Sequence, residues 1–482
     1  LGETHGPTVT PPIAGRYLYR SRRQNPTVET ESPVLAMSDP GARRGARGQG
    51  AYTNETLARA IREGVAPDGR AFDQLMPRFR IEDSDMASLI AYLRELSSRP
   101  SPGVGDATLE FATIVAPDAD PVKRRGMLDV LENFFGKENV LWRSSDVGPQ
   151  FSHRFTPGVH RWRLHVWELT GAPESWEAQL DGRMRREPVF AVISGIGGRT
   201  WAPVHQFCER SAVPCLFPNV DLPWDAEQDF YDLYYFKGVL LEAQLIAKRM
   251  QPSPESDQAP LGSRRLLQVY RSGDIGESAA AELRGALAAR VAETVDRVLD
   301  PRTDLKQVQA ALSDSRPDDV LVLWLRPDDI RSLPREPPPT ATVFVSGIMG
   351  GLEQVPLSAA WREVARLTYP FELPDRRGVE MDYPIGWMRF KHIALLDERT
   401  QTDTYLACVI TAEALRMMRE DLLRDHLVET LETHLDARLV NGYYSRLGLG
   451  AGQRFASKGG YLARFAEPQG MRLVADGPWT VP

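Results

Sequence analysis

From Thr108 onward the chain alternates short apolar runs with amphipathic segments: TLEFATIV, DPVKRRGMLDVLENFF, WRLHVWEL, PESWEAQLDGRM and PVFAVISGI. The odd members have strand composition and the even members helical spacing, so the order reads β-α-β-α-β. No other feature constrains the fold as strongly. Strands separated by helices pair in parallel, and a parallel sheet is covered by helices on both faces. After a Pro-, Ser- and Gln-rich interruption at 251–262 a second series follows: RLLQVY, then ESAAAELRGALAARVAETVDRVL with helical spacing, then DDVLVLWL and ATVFVSGIMGG. Two α/β lobes are therefore expected, with ligands at the carboxyl ends of the strands. A long helix is expected over 411–435, and the glycine- and aromatic-rich stretch beyond it reads as turns and short strands.

A boundary precedes this pattern. The run YLRELSSRPSPGVGDATLEF passes from helical spacing through a Ser/Pro/Gly stretch into a strand. A chain of 482 residues exceeds one hydrophobic core, so a first domain is placed at 1–98, a linker at 99–107 and the α/β region at 108–482. Within the first domain, Leu57 and Ile61, then Met86, Leu89, Ile90 and Leu93, recur at helical intervals. Residues 20–52 read as an arginine- and glycine-rich loop, either simply solvated or facing an acidic protein surface. The net charge of −7, from 58 basic and 65 acidic residues, is too balanced for a protein that coats nucleic acid. No apolar run reaches the roughly 18 residues needed to span a bilayer. Three cysteines exclude a disulfide-rich scaffold; Cys208 and Cys215 are read either as a bridge or as buried thiols.

Tyr52–Leu96 closely resembles the C-terminal half of a class I cytochrome c: a helix, a loop carrying Met76-Pro77, and a final helix with Tyr92 and the ending YLREL. His5-Gly6-Pro7 and Pro11–Gly15 match the continuation of that family's C-x-x-C-H motif, with LGETH at the motif itself. The resemblance implies a small all-α domain with His5 and Met76 as axial ligands of haem iron. Leu1 and Thr4 stand where cysteines form the thioether bonds, so covalent haem c is not supported. Three readings stay open: a haem-free remnant kept for docking, haem held without covalent bonds, or an altered N-terminus.

The region from Thr108 to Pro482 resembles the type I periplasmic binding proteins, in particular branched-chain amino-acid receptors of ABC transporters. The resemblance rests on PVFAVISGIGGRTWAPVHQFCERSAVPCLFPNVDLP, YRSGDIGESAAAELRGAL and DDVLVLWLRPDDI. It implies a hinged pair of lobes, lobe 1 near 108–240 and 377–435 and lobe 2 near 263–376 and 436–482. It also implies a periplasmic location and an amino acid or small carboxylate as ligand. The turn from Ser194 to Thr200 ends a buried strand and opens a helix, so its amides favour an anion. Ser194, Gly198, Arg199 and Thr200 are the candidates for a ligand carboxylate, with Tyr270, Ser272, Asp274 and Glu277 facing them from the second lobe. Asp274 and Glu277 also suit the simpler role of stabilising a helix N-terminus.

Gly195, Gly197 and Gly198 lack the G-x-G-x-x-G spacing of a dinucleotide fold. No catalytic histidine spacing, nucleophile elbow or Walker loop is present, so the chain is read as a non-enzyme. The expected function is a receptor for a small polar or anionic ligand, fused to a degenerate cytochrome c-like domain and associated with a redox system. Two alternatives stand beside it: an accessory or scaffold subunit of a periplasmic respiratory or dehydrogenase complex, and a haem electron carrier using His5 and Met76.

Overall fold

The protein is described by a computed structural model covering residues 4–5, 8–9, 15–19, 51–72, 76–95, 101–145, 160–224, 229–251, 264–288, 290–301, 305–340, 342–418, 422–438, 441–450 and 452–482. The chain divides into two compact units, Leu1–Ser101 and Pro102–Pro482.

In the first unit, β1 (Thr4–His5) pairs antiparallel with β2 (Thr8–Val9), and helices span Gly15–Leu18, Asn54–Glu63 and Asp83–Glu95. The helix from Asn54 begins with a capping box. Thr53 Oγ1 accepts from the Thr56 amide at 3.2 Å, and Thr56 Oγ1 accepts from the Thr53 amide at 2.7 Å. It ends at Gly64, whose φ of 71° places it in the left-handed region that glycine tolerates. Tyr52, Leu57, Ala60, Met86, Ile90 and Leu93 form the core of the unit, the residues that helical spacing selects. Arg62 ties the two longer helices together by donating to the Ile81 carbonyl and to Asp83, the latter at 2.7 Å.

The second unit contains two sheets. Strands β3 (Thr108–Val115), β4 (Arg161–Glu168), β5 (Ala191–Ile193), β6 (Cys215–Leu216) and β7 (Asp232–Leu233) form a parallel sheet in the order β4-β3-β5-β6-β7. The second sheet contains β8 (Arg265–Arg271), β9 (Glu293–Leu299), β10 (Val320–Trp324), β11 (Thr342–Ser346), β12 (Ala365–Tyr369), β13 (Tyr461–Phe465) and β14 (Leu473–Ala475). Its order is β14-β13-β12-β11-β10-β8-β9, parallel except for the last two strands, which run antiparallel. The central strand β10 is buried along its whole length, so its sequence VLVLW is continuously apolar rather than alternating.

Two helix expectations are corrected. The segment read as one helix from Glu277 to Leu299 is a helix over Ile275–Leu287 followed by β9. That strand lies at the sheet edge and is largely half-exposed, so it lacks the apolar run that marks a central strand. The helix expected at 411–435 is two helices, Glu398–Met418 and Arg424–His434. The first starts earlier than expected because Thr400, Gln401, Thr402, Asp403 and Thr404 are polar yet buried.

Cys208 and Cys215 are joined in a disulfide, with their Cα atoms 6.2 Å apart. The aromatics of 227–238 and 441–444 pack on one another: Tyr235 stacks on Phe217 at 4.6 Å and on Tyr444 at 4.9 Å.

The helix Val239–Arg249, which leads from the first sheet toward the second, carries a buried carboxylate, Glu242. Glu242 accepts from Ser346 Oγ at 2.5 Å, the Ile348 amide at 3.0 Å and Thr368 Oγ1 at 2.7 Å, fastening the helix to the carboxyl ends of β11 and β12. Burial pushes its carboxyl up from 4.5 to about 7 despite these donors. A raised carboxyl value means that the unfolded chain releases this proton first. The contribution of Glu242 is therefore most favourable below about pH 4.5 and is lost as the pH rises to about 7. Glu242→Gln is expected to remove about 3 kcal/mol of that decline, measured as the difference in urea unfolding free energy between pH 4.5 and pH 8. An unchanged slope would sink the assignment.

Candidate functional site: a polar cleft at the strand ends

Parallel strands deliver their carboxyl ends, and the loops that follow them, to one edge of each sheet. In the second unit these edges bound a cleft of about 420 Å³. From the first sheet come Asp118, Asp120 and Lys123 after β3, Ile196 to Arg199 after β5, and Asn219 and Asp221 after β6. The second sheet supplies Arg271, Ser272 and Asp274 at the end of β8, Pro301 after β9, and Arg326, Asp328 and Asp329 after β10. Arg399 and Thr400 project from the start of the helix Glu398–Met418.

The charges are organised in pairs. Arg399 Nη2 donates to Asp221 Oδ1 at 2.7 Å. Burial raises the Asp221 carboxyl, but Arg399, Lys123 and Arg326 outweigh it and hold the group below the usual carboxylate range. Arg326 grips Asp274 with two parallel bonds of 2.7 Å, and Arg271 donates to Asp329 through Nε at 2.9 Å and Nη2 at 2.5 Å. Such forked pairs fix geometry as well as charge. Asp120 accepts from the Val122 and Lys123 amides at 2.8 and 3.0 Å, stabilising the helix Pro121–Ser145. Asp328 pairs with Arg331.

The loop after β5 is held from inside. Asp118 accepts from the Gly198 amide at 3.2 Å and from the Arg199 amide at 2.8 Å. A Cβ on Gly198 would come within 2.7 Å of the Asp118 carboxylate and carbonyl, so glycine is required for this approach. The amides expected to receive a ligand carboxylate are thus satisfied by the chain's own. Six carboxylates are engaged in this way. Lys123 and Arg199, by contrast, have no ion pair among the described residues, and both line the cleft.

The sequence-derived candidates divide accordingly. Gly198, Arg199, Ser272 and Asp274 line the cleft. Asp274 is also the N-cap of the helix Ile275–Leu287, accepting from the Ile275 amide at 2.8 Å. Ser194 is buried, has a φ of 56°, and directs its hydroxyl to Thr404 Oγ1 at 3.2 Å and to the Asn219 amide group at 2.8 Å. Thr200 accepts from the Ala202 amide at 3.4 Å, just ahead of the helix Ala202–Arg210. Tyr270 is buried and donates to Asp296 at 3.4 Å, while Glu277 accepts from the Gly273 amide at 2.8 Å. Sequence reasoning missed Asp118, Lys123, Asn219, Arg271, Arg326 and Arg399. The available signal was their position just past an apolar run or in the first turn of a helix.

In the first unit, Met76 is 37% exposed and lies outside the core cluster. Tyr92 is 62% exposed. The backbone of His5 lies in β1; its side chain falls outside the described residues, as does Leu1.

No family model and no curated protein matches the chain. Solved structures do share its fold. A fatty acid ABC transporter substrate-binding protein from Thermomonospora curvata superposes with a TM-score of 0.53 at 16% identity, over 80% of this chain and 95% of the other. A branched chain amino acid ABC transporter protein from Thermus thermophilus with bound valine gives 0.53 at 9% identity, over 79% and 98%. An ABC transporter substrate-binding protein from Aeropyrum pernix gives 0.54 at 13% identity, over 78% and 97%. The two-sheet α/β fold of this chain is thus that of ABC-type substrate-binding proteins. Among the described residues no helix is long and apolar enough to cross a membrane.

Removing one partner of a partly buried ion pair leaves the other charge poorly solvated. Asp221→Asn, which takes the carboxylate from Arg399, is expected to cost roughly 1.5–3 kcal/mol of unfolding free energy, the range for a hydrogen bond to a charged group, measured by urea denaturation at neutral pH. A loss within about 0.5 kcal/mol, typical of a surface substitution, would contradict the role assigned to the pair.

Proposed function

We propose that the second unit is a non-catalytic receptor that binds a small anionic ligand between its two lobes, in an extracytoplasmic, periplasmic setting. One observation carries the reading: in a cleft whose carboxylates are all engaged, Lys123 and Arg199 are the cations left without an ion pair among the described residues. Ser272, Thr400 and Asn219 supply neutral hydrogen-bonding groups beside them. The polar lining, with Ile196 and Pro301 its principal apolar members, does not suit a fatty acid or the side chain of valine. A small dicarboxylate or another compact anion matches the two cations.

Thermal shift and calorimetry on the full chain, with a panel of mono- and dicarboxylates and amino acids, test this reading. Stabilisation is expected from a dianion, weakened at least tenfold in Lys123→Gln and in Arg199→Gln and reduced by added salt. Binding that survives both substitutions would refute it.

A second reading, an accessory or scaffold subunit, draws support from Asp118, which fills the amide position that a ligand carboxylate would take. A flat panel with wild type and equally flat results with Asp118→Ala favour the scaffold.

For the first unit we propose a docking role without haem, supported by Leu1 and Thr4, which cannot form the thioether bonds of haem c. The purified full chain, supplied with haem, is expected to show no Soret band attributable to axial ligation. A band abolished by Met76→Ala would restore the electron carrier.

A further inference from the structure

We propose that His205, Glu209 and Asp229 form a binding site for one divalent cation of the zinc class, built into the second unit apart from the cleft. His205 and Glu209 stand four residues apart on the helix Ala202–Arg210, so they project from one face. Asp229 reaches them from the segment that leads into β7. One ligand atom from each of the three lies within 4.8 Å of the others. Zinc requires nitrogen and oxygen ligands roughly 2.0–2.2 Å from a common centre, so binding would draw these three atoms together around the ion.

The local hydrogen bonding prepares each group. His205 is buried, and its Nδ1 lies 2.8 Å from the Tyr234 hydroxyl and 3.7 Å from Asp232 Oδ2, while Nε2 points to Asp229 Oδ2 at 2.9 Å. This is the arrangement in which the far ring nitrogen is oriented by an oxygen partner and Nε2 is presented to a metal. The Glu209 carboxylate is fixed by backbone amides. Its Oε1 accepts from the Phe230, Tyr231 and Asp232 amides, and Oε2 accepts from the Phe230 amide at 3.0 Å. Asp229 retains some solvent access, its side chain being 12% exposed.

Asp232, completely buried, stands on the other side of the imidazole, its Oδ2 3.7 Å from His205 Nδ1. Cys208 and Cys215 also lie near Asp232, but their disulfide removes them as thiolate ligands. One imidazole with two carboxylates suits zinc better than calcium, which prefers six to eight oxygens.

The test uses the full chain, stripped with a chelator and titrated with zinc chloride by calorimetry. A saturable site is expected, with affinity reduced at least tenfold in Asp229→Asn and in His205→Gln. His205 is buried, so its variant is first checked by circular dichroism; Asp229→Asn, at the rim, serves where His205→Gln fails to fold. Cobalt chloride added to the stripped wild type provides a readout that needs no variant: visible absorption of a low-coordinate site, displaced by zinc, is expected. The proposal is overturned by the absence of saturable zinc binding, by full affinity in the folded variants, or by calcium binding more tightly than zinc.

Discussion

The cleft depends on the half-buried pair between Arg399 and Asp221. One partner opens the helix Glu398–Met418, and the other follows β6, at positions 178 residues apart in the chain. Either charge alone would lose a charge-assisted hydrogen bond where water is scarce. The pair therefore fixes where the helix begins relative to the first sheet, and with it the positions of Thr400, Asp403 and Thr404. Thr404 in turn receives the strained Ser194 through its hydroxyl, and Asn219 donates to both. The loop after β5 is thereby anchored at its base by this network and at its tip by Asp118. A small set of long-range polar contacts, rather than the apolar core, sets the shape of the cleft.

This construction has a chemical consequence. A cleft lined by unpaired carboxylates would repel anions and invite cations. Here each lining carboxylate is already engaged by an arginine or by backbone amides, and its capacity to pair with a ligand ammonium is largely spent. Asp274 illustrates the point. Its sequence position suits either a ligand contact or a helix cap, and the side chain both caps Ile275 and receives the fork of Arg326. A ligand ammonium would have to displace one of these bonds to pair with Asp274.

The lobes were legible in the sequence because parallel strands buried on both faces must be apolar throughout, and TLEFATIV and DDVLVLWL carry that mark. The edge strand β9, half in water, had no such mark and merged with the helix before it. The buried polar run Thr400–Thr404 hid the start of its helix for the opposite reason: polar residues read as surface, and only the tertiary partners of Asp403 and Thr404 show otherwise. The candidate site was legible at its glycine turn, since Gly198 and Arg199 follow a strand end. Its paired arginines were not, because Arg271–Asp329, Arg326–Asp274 and Arg399–Asp221 are separated by 58, 52 and 178 positions. No local spacing encodes such pairs.

Two different kinds of buried acid result. In the cleft, Asp221 and Asp274 are held charged by arginines despite burial, so their carboxyls titrate below the ordinary range and remain ionised at physiological pH. Burial raises Glu242 and Asp403 to about 7, against hydroxyl and amide donors at Glu242 and against the charge of Arg399 and the Tyr444 hydroxyl at Asp403. Asp403 lies beside Arg399, yet Asp221 already takes that guanidinium, and Tyr444 is the group that donates to the Asp403 carboxylate, at 3.1 Å. What separates the two kinds is whether a guanidinium donates directly to the carboxylate: Arg399 does so to Asp221 and Arg326 to Asp274, whereas among the described residues none does to Glu242 or Asp403.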